Sequence, residues 1–142
     1  MAEPETVAGT VSAALVEIEI GAVATQVPIL RTVAADIAMR EDLDLDAIDD
    51  LRMAVDEAGS LLVAIAAPGA RLMCSFLPAE DGITITATVR SRQDDIDFRS
   101  SLSWQVLSAL ADSVTDRVES EGEDRVVRIE LVRRRAAGQA TR

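Results

Sequence analysis

The chain contains no His, no Lys and no Tyr, one Cys, one Trp, two Phe, four Pro and seven Gly among 142 residues. Each scarcity excludes a chemistry. Without imidazole there is no Ser-His-Asp relay, no Cys-His nucleophile pair, no His-ligated metal and no phosphohistidine. A single Cys, Cys74, excludes an internal disulfide and a zinc cluster built from this chain alone, and its place in an apolar strand fits buried packing better than a redox switch. Basic charge is also short: fourteen cations, all Arg, face twenty-five carboxylates, for a net charge of −11. That balance repels nucleic-acid phosphate, so direct DNA or RNA binding is not expected, and it suits a basic protein partner. No run approaches the roughly 18 apolar residues of a membrane span. The opening MAEPETVAGT has neither a basic n-region nor an apolar h-region, so a cytoplasmic protein without a secretory signal is expected.

Apolar residues make up 49% of the chain, enough for one folded domain of ordinary size. Residues 1–13 read as a flexible tail, 14–133 as the domain, and 134–142 as a second, Arg- and Ala-rich tail. Within the domain, Leu15 to Ile20 alternates apolar and acidic residues as a half-buried strand does. Pro28 fits the first turn of a helix reaching about Met39, with Val27, Leu30, Val33, Ala34 and Ile37 on one face. The acidic connector 40–46 offers Asp44 or Asp46 as N-cap for the next helix. There Ile48, Leu51, Val55, Ala58, Leu62 and Ile65 keep helical spacing until Ala67-Pro68-Gly69 stops it.

A hairpin follows, Arg71 to Leu77 and Ile83 to Val89 around a Pro78–Gly82 turn. Residues 90–101 form a polar loop long enough to carry function. Ser101 or Ser103 then caps a helix bearing Trp104, Leu107, Leu110, Ala111 and Val114. Residues 119–124 read as a turn and Arg125 to Arg133 as the last strand. The order β-α-α-β-β-α-β predicts an α+β two-layer sandwich, a small, mostly antiparallel sheet with helices on one face.

The run Asp49 to Val63, DDLRMAVDEAGSLLV, resembles the motif helix of the GHKL (Bergerat) ATPase fold in its anti-sigma-factor kinase branch, the RsbW type. Glu41 to Asp46 (EDLDLD) and Ser103 to Val114 (SWQVLSALADSV) are similar to runs in actinobacterial members, in the same order. The resemblance covers roughly residues 14–133. It implies the GHKL sandwich, and a protein that holds a stress-type sigma factor away from RNA polymerase until an anti-anti-sigma (STAS-type) protein competes for it. It also implies a homodimer. In its kinase members the antagonist phosphorylates that competitor with ATP and Mg²⁺.

Carried over residue by residue, Glu57 occupies the position of the kinase base; the bland alternative is a polar residue bordering the apolar stripe. The Asn that would ligate Mg²⁺ one turn later is Leu61, which offers a hard cation no oxygen, and Ser60 points about 100° away. The glycine-rich phosphate segments are missing too, since no glycine occurs between Gly82 and Gly122. Asp94, Asp95 and Asp97 are the candidates for the adenine-binding Asp, or simply members of a solvated loop. Arg90, Arg92 and Arg99 sit near enough to carboxylates to be neutralised by them. The expectation is a degenerate nucleotide site with no metal and no cofactor; the alternative is an active Ser/Thr kinase that uses Mg-ATP. A third possibility is a scaffold that binds anti-anti-sigma-like proteins alone. Partner-contact candidates are Arg31, where the family carries a basic docking residue, the acidic Asp44 and Asp46, and Trp104, which suits either core or interface.

Overall fold

The structure, a computed structural model, describes residues 13–136. Its elements are β1 (Val16–Gly21), a short 3₁₀ turn (Ala24–Gln26), α1 (Val27–Arg40), α2 (Leu45–Ile65), β2 (Arg71–Ala79), β3 (Gly82–Ser91), α3 (Leu102–Leu110), β4 (Ser113–Glu121) and β5 (Asp124–Arg134). The strands form one five-stranded sheet in the order β1-β2-β3-β5-β4, antiparallel throughout.

Alternation places Leu72, Cys74, Phe76, Ile83, Ile85, Val89, Val127, Ile129 and Leu131 on one face of that sheet, all buried in a single cluster with Leu30, Leu51, Leu62 and Leu107 of the helices. Each such Leu, Ile or Phe removed from water contributes about 1.5–3 kcal/mol. The opposite face carries Glu17, Glu19, Arg71, Thr84, Thr86, Arg128 and Glu130 and stays open to solvent. The α+β two-layer sandwich is therefore as the sequence implies. Among the described residues no helix is long and apolar enough to cross a membrane.

The two long helices follow their periodicity. Val27, Leu30, Ala34 and Ile37 of α1 are buried, and so are Ile48, Leu51, Val55, Ala58 and Leu62 of α2. Asp44, rather than Asp46, is the N-cap: its carboxylate accepts from the Ala47 N–H at 2.8 Å, while Asp46 sits in the first turn. The β2–β3 turn depends on Gly82, whose φ of 152° is joined by a close approach; a Cβ there would run into the Arg133 carbonyl.

Three expectations are corrected. The helix after the polar loop stops at Leu110 and does not reach Val114, because Ala111 turns extended and Asp112 is captured by β5. The Asp112 N–H donates to the Val132 carbonyl at 2.8 Å and its carboxylate accepts from the Arg134 N–H at 2.6 Å. The chain then continues as β4, a fifth strand where the sequence suggested helix end and turn. Finally, Arg134 and Arg135 are not a free tail. Arg134 closes β5, and Arg135 donates to the carbonyls of Asp81, Glu80 and Glu41 at 2.8, 2.7 and 2.5 Å. The expected N-terminal tail, apart from Ala13, and residues 137–142 lie outside the described residues.

Candidate functional site

Helix α2 carries Glu57 and Leu61 on adjacent turns, both half-buried. Leu61 packs against the central apolar cluster, so at the position one turn beyond the Glu the helix presents hydrocarbon to the core. Beside Glu57, Asp56 pairs with Arg31 of α1 at 3.5 Å. Arg31 thus ties the two long helices together; both partners remain about 40% exposed, so the pair adds little stability.

The last residues of β3, Arg90 and Ser91, pair with Ala67 and Ala66 just past α2, and the segment that follows leads into α3. It is neither glycine-rich nor loosely held. Ser91, fully buried, accepts from the Gln93 N–H at 3.1 Å and starts the turn. Phe98, 4% exposed, drives into the core and stacks nearly parallel on Trp104, with ring centroids 6.3 Å apart. The guanidinium of Arg99 lies 5.6 Å from the Trp104 ring. Ser101 fastens the far end: its hydroxyl donates to the Phe98 carbonyl at 2.6 Å and accepts from the Trp104 N–H at 3.1 Å, capping α3. Ser101, not Ser103, is thus the cap.

Charges complete the attachment. Arg99 pairs with Asp116 of β4 at 3.0 Å, and Asp94 pairs with Arg125 of β5 at 2.7 Å. Arg92 reaches Asp124 at 3.4 Å. Arg90 meets Glu121 at 2.6 Å and Asp124 at 3.6 Å; the hydrogen bond to Glu121 and its charge push the Arg90 pKa upward. All three arginines of this region, Arg90, Arg92 and Arg99, are paired with carboxylates supplied by β4 and β5. Asp97 accepts from Ser100 within the loop, and Asp95 is exposed.

The sequence-derived candidates therefore separate. Glu57 and Leu61 lie one turn apart on α2, and Arg31 pairs with Asp56, the residue before Glu57. Asp94 is tied to Arg125 of β5, Asp97 is engaged within its own loop, and Trp104 is buried in the core, 9% exposed. Asp44 and Asp46 lie at the N-terminus of α2. Cys74 is buried in β2, and burial pushes its thiol up to about 12. Phe98 is the residue that sequence reasoning passed over. Its signal was present: Ile96 and Phe98 are apolar in a polar run, just ahead of a helix-capping Ser.

Two curated relatives from Mycobacterium tuberculosis, strains CDC 1551 / Oshkosh and H37Rv, are each named anti-sigma-F factor RsbW. Each is 38% identical over 125 residues, covering 86% of this chain and 74% of the relative. The chain belongs to the RsbW family of anti-sigma factors. No family model matches it. Among solved structures, a chain of the SiaB–SiaC complex from Pseudomonas aeruginosa superimposes with a TM-score of 0.67 at 7% identity, over 82% of this chain and 89% of that one. At that identity the likeness is one of fold.

Proposed function

We propose that this RsbW relative works by occupancy alone. It binds a stress-type sigma factor, keeps it from RNA polymerase in the cytoplasm, and releases it when an anti-anti-sigma protein of the STAS type competes, without transferring phosphate itself. The two relatives named anti-sigma-F factor RsbW support the binding role. One observation supports the absence of chemistry: Leu61, at the position of the magnesium-binding Asn, packs into the apolar cluster. Phosphoryl transfer needs a metal ligand and a backbone cradle beside its base. Here the cradle is replaced by a segment held by Phe98, Ser101 and Arg99, so a nucleotide would have to displace buried aromatic packing.

The acidic stretch Glu41 to Asp50 suits basic regions of a sigma factor and would raise the rate of encounter. Two copies of the chain act together as a homodimer in this reading. The competing reading is a Ser/Thr kinase based on Glu57.

Calorimetry with Mg-ATP, run beside co-purification with sigma-factor and STAS-type partners, separates them. A stable sigma complex, no heat with Mg-ATP and no phosphate on the STAS-type protein are expected. Micromolar ATP binding that disappears in Glu57→Ala would establish the kinase instead. Failure to form a complex with any sigma factor would remove the binding role.

A further inference from the structure

On the open face of the sheet, β4 and β5 set like charges against each other. Arg117 of β4 lies directly opposite Arg128 of β5. Both point away from the helices, since Val127 and Ile129, on either side of Arg128, are buried beneath them. Opposed residues hold their Cβ atoms about 4.5–5.5 Å apart, and two cations so placed destabilise a strand pair. Unlike charges were at hand to avoid this. Glu119 and Glu130 share the same face of the same two strands, yet Glu119 stands opposite Val126 and Glu130 opposite Thr115.

The fold does little to offset the clash. The Arg117 guanidinium has no hydrogen-bond or ion-pair partner among the described residues, in a chain holding twenty-five carboxylates. Arg128 meets Glu119 at 3.8 Å, with both side chains open to water, so the contact is weak. The two arginines line an open groove of about 340 Å³ with Thr115, Asp116 and Glu130. Of the two carboxylates there, Asp116 is already held by Arg99 at 3.0 Å. Glu130 sits two residues along β5 from Arg128, about 6.7 Å away. A local rule broken without gain to the fold is expected at functional positions.

We propose that Arg117, Arg128 and the Thr115 hydroxyl bind an oxyanion of the phosphate class. Each guanidinium presents a fork of parallel N–H donors. A tetrahedral phosphate has oxygens enough to accept from both forks, whereas the two oxygens of a carboxylate satisfy only one. The bound dianion turns the opposed cations from a cost into a clamp. The site is on the far side of the sheet from Glu57 and is independent of sigma-factor binding. With two exposed arginines and Glu130 close by, its Kd is about 1 mM, a thousandfold weaker than the ATP binding that would mark a kinase.

Nuclear magnetic resonance of the arginine Nε–H signals tests it on the full chain, titrated with inorganic phosphate at constant ionic strength against sodium chloride. Saturable shifts at Arg117 and Arg128 are expected, weakened about tenfold or more in Arg117→Gln and in Arg128→Gln. Arg52→Gln, an equal charge change on the helical layer, is expected to leave them intact. Arg117→Gln is also expected to raise the Tm of the phosphate-free protein by about 1–3 °C, because it relieves the opposed charges. A parallel titration with O-phosphoserine separates two sources: binding within about threefold of inorganic phosphate assigns the site to a phosphorylated side chain of a partner, and no binding assigns it to the free ion. No saturation by about 20 mM phosphate, or equal affinity in all three variants, would overturn the site. A lower Tm in Arg117→Gln would overturn the strained pair on which it rests.

Discussion

Replacing Phe98 by Ala asks whether the segment between β3 and α3 is a fixed part of the core or a loop that opens. Phe98 is 4% exposed and stacks on Trp104 at 6.3 Å. Truncating a buried Phe costs about 3–5 kcal/mol, of which the lost aromatic pair accounts for about 0.5–1.5. Because the segment is at the surface it can partly collapse into the space, which favours the lower end, about 3 kcal/mol. Arg99 softens the loss little, since its pair with Asp116 is mostly solvent-screened and its contact with Trp104 remains. For a domain of this size that loss is worth about 10 °C in Tm. Trp104 is the only Trp in the chain, so its fluorescence reports this locus alone. Urea titration followed by Trp emission and by far-ultraviolet circular dichroism is expected to give coincident transitions, at lower urea than wild type. A loss below about 1 kcal/mol, with unchanged Trp emission, would refute the anchoring of the segment by Phe98.

Gly82→Ala is expected to destabilise by more than about 2 kcal/mol, because both φ and the Arg133 carbonyl oppose a Cβ; a urea midpoint within error of wild type would contradict it. Asp44→Ala removes the cap of α2 and is expected to cost about 1 kcal/mol in thermal denaturation, whereas Asp46→Ala costs about half that or less. Cys74, with its thiol raised from 9.0 to about 12, is expected to resist a thiol-specific disulfide reagent at pH 8 until the protein unfolds. The same shift sets a pH dependence. The unfolded chain releases the Cys74 proton first, so the stability conferred by the neutral buried thiol is complete below pH 9 and lost as pH climbs from 9 toward 12. Rapid labelling in native buffer at pH 8 would show the thiol to be accessible.

Much of the fold was legible because the buried positions obey simple periods. The helices α1 and α2 and the β2–β3 hairpin bury most of the residues their spacing predicts, with Val33 and Ile65 half-buried at the border of their faces. β4 was illegible for a matching reason. Its inward positions are Val114, Asp116, Val118 and Ser120, half of them polar, because an edge strand reaches beyond the cover of the helices. With so weak an alternation, the helical spacing of Trp104, Leu107, Leu110 and Val114 extended too far. Arg135 looked like tail because its anchors are backbone carbonyls, which leave no trace in side-chain pattern. At the candidate site, Leu61 and the missing glycines were readable from spacing. What locks the segment in their place was not, since Phe98–Trp104 stacking and the pairs Arg99–Asp116 and Asp94–Arg125 are made between distant parts of the chain.

The strand order β3-β5-β4 also dictates when the protein can assemble. During synthesis β1, β2 and β3 can pair as soon as they emerge, but β3 then waits with one side unsatisfied through α3 and β4. β4 itself has no neighbour until β5 arrives and inserts between the two. The sheet therefore closes in a single late step that joins residues from 34 to 52 positions apart in sequence, Ser91 with Arg125 at the near end and Gly82 with Arg134 at the far end. Such non-local closure is slow compared with helix formation and leaves two unpaired strand edges open to chaperones or to neighbouring nascent chains in the interval.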